Sequence, residues 1–128
     1  VNRPLITDEA LAEAARPGTY QNRINLALRR MISLRKEHPV FGAARTRIIP
    51  TGNDHLFVFQ RINPTSETLT VVSNFSDQPQ VLDWVLLESL GLAGKVSELV
   101  SGEAVDWRAS GQLAVEPFQF MWLLADRR

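Results

Sequence analysis

Cysteine is absent from the 128-residue chain, which excludes disulfides, thiolate metal sites and cysteine nucleophiles. Histidine is nearly absent. The two copies, His38 and His55, stand apart with no His-x-x-x-His pair and no acidic cluster at ligand spacing, so both are assigned structural places and no metal site is expected. An excess of charge of one sign is missing as well. The 14 basic residues balance the 14 acidic ones, and no broad nucleic-acid or anionic-membrane surface is expected from a formal net charge of zero. No apolar run approaches a membrane span, and no signal peptide is recognised at the start. The expected setting is cytoplasmic, with neither nucleic acid nor membrane as a partner. The opening Val1-Asn2-Arg3-Pro4 lacks an initiator methionine, and the expectation drawn from it is an excised fragment or a processed product.

What is present suits one folded domain. Hydrophobic residues make up 45% and charged residues 22% of the chain, and a chain of this size can bury roughly two thirds of its unfolded surface. Residues 7–16 predict a short helix: Thr7 stands at its N-cap, Asp8 and Glu9 put negative charge in its first turn, and four alanines favour it. Pro17-Gly18 ends it. A long helix then runs from Thr19, a second N-cap, toward the turn His38-Pro39, with Tyr20, Ile24, Ala27, Leu28, Met31, Ile32 and Leu34 at three-and-four spacing. Its basic residues mostly take the other side. Such a face needs a partner, which is either the β-structure that follows or something outside the chain.

After Phe41-Gly42 the period changes from 3.6 to 2. Strands are predicted over 46–49, 55–62, 68–75, 80–86, 95–100, 112–116 and 118–125, separated by Gly, Pro, Asn and Asp turns. In the second of these Phe57 and Phe59 face one way and Leu56, Val58 and Ile62 the other, so both faces are expected to be covered and the strand to be central. Residues 84–87 fit a strand end or the start of a short helix stopped by Gly91. Phe118, Phe120, Trp122 and Leu124 alternate on one face of the closing strand, which places Trp122 in the core. The fold class is therefore mainly β: an antiparallel β-sandwich preceded by one short and one long α-helix, divided into a helical segment, 1–42, and a β-domain, 43–128.

Reactive chemistry is hard to assemble from these residues. Ser101-Gly102-Glu103 lacks the Gly-x-Ser-x-Gly spacing of a nucleophile elbow and reads as a β-turn. Asn74-Phe75-Ser76 matches a glycosylation sequon and reads as a strand end. Of the three tryptophans, Trp84 fits either a strand or a helix. Trp107 sits between Asp106 and Arg108 in a polar loop and is the candidate for stacking on a sugar ring. No catalytic residue and no cofactor is expected.

Several segments, in order, resemble the C-terminal end of the α-amylase superfamily, glycoside hydrolase family 13, and are most similar to its sucrose phosphorylase and glucosylglycerate phosphorylase branch. Val1-Asn2-Arg3 resembles the Ile-Asn-Arg segment after the eighth barrel strand. Leu28 to Phe41, closing on Leu34-Arg35-Lys36-Glu37-His38-Pro39-Val40-Phe41, is similar to the last barrel helix. Val71 to Ser76 resembles an early strand of the β-sandwich called domain C, Glu98-Leu99-Val100-Ser101-Gly102-Glu103 its Asp-Leu-Leu-Ser-Gly-Glu segment, and Leu113 with Pro117 to Leu123 its closing strands. The resemblance implies an amylase domain C fold whose partner is the catalytic barrel of a parent enzyme that carries out retaining glucosyl transfer. It places the family's catalytic carboxylates on earlier barrel strands, to which no segment here corresponds. It also implies that Asn2 and Arg3 lie beside the parent's sugar site. Two other readings of the residues stand beside it: an independent carbohydrate-binding module using Trp107, and a small self-associating protein whose long helix pairs between copies as a homo-oligomer.

Overall fold

The computed structural model describes residues 4–42, 44–64, 67–92 and 95–125. The chain divides into two compact units, Val1–Lys36 and Glu37–Arg128. In the first, α1 (Asp8–Ala15) starts where Thr7 Oγ1 accepts the Ala10 amide at 3.2 Å. Gly18, at φ 87°, turns the backbone through the left-handed region that suits glycine. Thr19 Oγ1 then accepts the amide of Asn22 at 3.1 Å and caps α2 (Tyr20–Glu37). The Asn22 side-chain amide donates back to the Ala14 carbonyl at 2.9 Å, tying the two helices at their joint. Of the apolar face expected to be covered, Leu34 is buried and Met31 half-buried, whereas Tyr20, Ile24, Leu28 and Ile32 are exposed.

The second unit begins at Glu37. A 3₁₀ turn, Pro39–Phe41, belongs to it. The Arg61 guanidinium donates to the carbonyls of Val40 at 3.1 Å and Gly42 at 2.8 Å, and the Phe41 ring lies 4.8 Å from that of Trp122.

The remaining elements are β1 (Arg45–Ile49), β2 (Leu56–Ile62), β3 (Thr68–Asn74), β4 (Gln80–Asp83), α3 (Trp84–Ser89), β5 (Val96–Glu98), β6 (Ala104–Val105), β7 (Gln112–Val115) and β8 (Phe120–Ala125). One sheet has six strands in the order β1-β2-β3-β8-β5-β6, and β4-β7 form the other. Every pairing is antiparallel. The fold class is the antiparallel β-domain expected. Its core gathers Leu56, Val58, Val72, Met121 and Leu123 from the large sheet, Leu82, Leu113 and Val115 from the small one, and Leu87, Leu90 and Leu92 from α3 and the turn after it.

Residues 84–87 prove helical. Asp83 Oδ1 accepts the Leu86 amide at 2.8 Å as an N-cap, and the far end closes with Leu92 N–H on the Leu87 carbonyl and Gly91 N–H on that of Glu88. That is a Schellman motif, with Gly91 at φ 77° supplying the left-handed residue.

Two further expectations about faces change. Because the core side of β8 is Met121 and Leu123, Trp122 points to the opposite face, where it is buried beneath Phe41. Phe118 and Phe120, read as sharing its face, are exposed by 68% and 41%. Likewise β2 has one neighbour on each side, but Phe57 on its outer face is exposed. The closing strand also begins later than expected, because Pro117 and Phe118 form a turn.

Candidate functional site

The residues singled out from the sequence do not converge. Asn2 and Arg3 lie outside the described residues. Trp107 is not the open stacking platform expected of it: its indole is buried in the core, only 7% exposed, and its Nε1–H donates to the Leu92 carbonyl at 3.2 Å. The reason is reach. The flanking Asp106 and Arg108 keep the backbone at the surface while the large ring plugs the space beside α3. Trp84, at the start of α3, is 48% exposed.

The reactive-looking groups are bound into structure. His38 Nδ1 donates to Glu67 Oε1 at 3.0 Å, and His55 is an exposed residue before β2. Ser101, Gly102 and Glu103 form a tight turn in which Ser101 Oγ accepts the Glu103 amide at 3.2 Å. Asn74 is 3% exposed: its side-chain amide donates to the carbonyls of Gln78, Val115 and Glu116, and its Oδ1 accepts from the Ser76 amide and hydroxyl. It therefore bridges the ends of the two sheets. Among the described residues no group of three or more His, Asp and Glu side chains is placed to hold a metal ion, and no helix is long and apolar enough to cross a membrane.

Glu98 escaped the residue-by-residue reading. Its carboxylate is buried, and it accepts the amides of Val100 at 3.0 Å, Ser101 at 2.6 Å and Trp122 at 2.9 Å. Burial alone raises its pKa, but the three amides together with the Ser101 side chain outweigh that and hold the group below the ordinary glutamate value. The signal lies in the spacing, since an acid three residues before a Ser-Gly turn is placed to cap the amides of that turn.

The remaining feature is a surface. On the outer face of the large sheet, Ile48 pairs with Phe59, Phe59 with Val71 and Val71 with Trp122, and the next row runs Phe57, Ser73, Phe120. The Phe57 and Phe59 rings are 5.6 Å apart and those of Phe120 and Trp122 are 6.4 Å apart. Ile48 is 67% exposed. At the end of these strands stand Phe75 and Phe118, also exposed. Phe118 adopts φ 54°, the one positive-φ residue other than glycine among those described. It follows Pro117 in a turn closed by Gln119 N–H on the Glu116 carbonyl, a position that glycine or asparagine usually takes.

An antiparallel two-sheet β-domain with this organisation has known counterparts. A family model described as amylosucrase, C-terminal domain, matches residues 46–124. The chain belongs to that family. No curated protein matches it. Among solved structures, AmyP in complex with maltose matches with a TM-score of 0.67 at 16% identity, over 81% of this chain and 20% of that one. The trehalose-6-phosphate hydrolase TreA of Bacillus licheniformis matches with a TM-score of 0.62 at 21% identity, over 94% of this chain and 20% of that one. The trehalulose synthase MutB of Pseudomonas mesoacidophila matches with a TM-score of 0.60 at 21% identity, over 90% of this chain and 19% of that one. At these identities the likeness shows the fold. This chain spans about a fifth of the length of each.

Proposed function

We propose that the chain is the non-catalytic C-terminal β-domain, with the last barrel helix ahead of it, of a cytoplasmic amylase-superfamily enzyme of the sucrose phosphorylase-like branch, and that it packs on and stabilises the catalytic barrel. The parent reaction in this reading is retaining glucosyl transfer from a sucrose-like donor to phosphate. Residues 1–42 complete the barrel, with Asn2 and Arg3 beside its sugar site, and residues 43–128 form the supporting domain.

The observation that carries the reading is the exposed stripe of α2. Tyr20, Ile24, Leu28 and Ile32 repeat every fourth residue and leave their side chains in water, although such a stripe is the part of a helix that a protein ordinarily buries. Family membership and the share of each solved neighbour that the chain covers support the same view.

Purified chain incubated with sucrose and phosphate is expected to form no glucose 1-phosphate. Formation above a heat-inactivated control overturns the proposal. In the longer gene product, deleting residues 43–128 is expected to lower the melting temperature of the barrel, and an unchanged value removes the stabilising role.

A further inference from the structure

The strand β8 is the last element in sequence order among the described residues, yet it lies inside the large sheet, between β3 and β5. It gives Met121 and Leu123 to the core, and the buried Glu98 carboxylate holds its Trp122 amide. A strand so placed can leave as one piece and take no other described element with it. Residues 116–119 join it to β7, which pairs in the small sheet, so this short turn crosses from one sheet to the other.

The turn is held under strain. Phe118 sits at φ 54° although its ring is 68% exposed and gains little packing there. Pro117 keeps its fixed φ in a turn and in an extended chain alike, and it already biases Glu116 toward the extended region. Opening the turn therefore falls on Phe118. The hydrogen bonds lost are local: Gln119 N–H on the Glu116 carbonyl, and Glu116 N–H on Gln119 Oε1. Asn74 holds the carbonyls of Val115 and Glu116, which keeps β7 with its own chain while β8 leaves.

We propose that two copies of this chain form a closed dimer by exchanging β8, with residues 116–119 as the hinge and release of the left-handed Phe118 as the gain over the unexchanged form. A short strained hinge favours such an exchange, and every contact of β8 with β3 and β5 is made again by the β8 of the second copy. The partner is a second copy, so the inference stands apart from the proposed function.

The absence of cysteine makes the exchange readable as a covalent link. Asn74 N–H donates to the Gln119 carbonyl. That pair is therefore hydrogen-bonded, and the next, Ser73 with Phe120, is the closer non-hydrogen-bonded kind that a disulfide can span. The 128-residue chain carrying Ser73→Cys with Phe120→Cys is concentrated, warmed to just below its melting temperature, cooled, separated by size and oxidised at low concentration. The expected result is a dimer whose chains stay joined on a denaturing gel without reductant, beside a monomer whose disulfide closes within one chain. A dimer whose chains separate on that gel overturns the proposal, as does monomer alone. Phe118→Gly in the chain without cysteine is expected to lower the dimer association constant by at least about tenfold, because both hinges then have no strain to release. An unchanged or higher constant overturns the proposal. The unsubstituted dimer gives a check that needs no cysteine: on dilution it should return to monomer no faster than the chain unfolds, since β8 cannot leave without opening the core. Faster return overturns the exchange.

Discussion

The carboxylate of Glu98 on β5 accepts the backbone amide of Trp122 on β8 at 2.9 Å, across the boundary between neighbouring strands. The same side chain also closes the turn that follows its own strand. One anion thus serves three amides that β-pairing leaves free, a role in which charge-assisted hydrogen bonds are about twice as strong as neutral ones.

Glu98→Gln keeps the shape but turns an NH₂ group toward amide donors. The expected loss is about 2 kcal/mol, read as a lower urea midpoint with an unchanged m-value. A midpoint within error of the unsubstituted protein removes the assigned role.

Stability should also depend on acidity through this group. Its pKa is lowered in the folded chain, so its contribution is fully present above the unfolded glutamate value of about 4.3 and is lost as pH falls through the lower folded value. Urea midpoints measured from pH 7 downward are expected to hold until that region and then drop, and the drop is expected to be shallower in Glu98→Gln. Glu9, exposed and lowered by its own backbone amide and the Thr7 hydroxyl, is present in both proteins and cancels in the comparison.

Trp107→Ala separates a core role from a sugar-binding one. Removing a buried indole is expected to cost about 3–5 kcal/mol. Trp107→Phe, which retains most of the volume but leaves the Leu92 carbonyl without its donor, should fall between. Titration of the folded Phe variant with maltose at millimolar concentration is expected to match the unsubstituted chain, and weakened binding would return the residue to the surface.

Phe118 has the opposite sign. It holds a left-handed conformation while 68% exposed, so Phe118→Gly is expected to stabilise the isolated chain by roughly 0.5–1 kcal/mol, the relief of side-chain strain less the added freedom of glycine when unfolded. Thermal melts decide this, and a lower melting temperature would show that the ring contributes more contact than its exposure indicates.

Much of this architecture was legible beforehand because it is signalled locally. Thr7 and Thr19 announced both helix starts, Gly18 and Pro39 their limits, and period-2 runs the principal strands. What escaped depends on where side chains go once the chain has folded. The α3 segment opens on four apolar residues in a row, Trp84 to Leu87, so its period is silent, and only Asp83 and Gly91 at its ends declare a helix. The neighbours of Trp107 locate its backbone at the surface and say nothing of a ring long enough to reach inward. Strand β6 has two residues and no pattern to read. On β2 the alternation correctly implied two apolar faces but could not show that one of them stays open, since that depends on what else is packed there. Glu98 and Asn74 also reach backbone groups far away in sequence, Trp122 for the one and Val115 and Glu116 for the other, and no single-sequence pattern displays those distant partners.

Asn74 carries one more consequence. Its amide reaches Val115 and Glu116 from the end of β3, and a chain without cysteine has no covalent staple to share that duty. The two leaves of the sandwich are therefore bound like a book along a spine at this end. When the structure breathes, it should gape from the opposite margin, and the last amide protons surrendered to heavy water should be those nearest the binding.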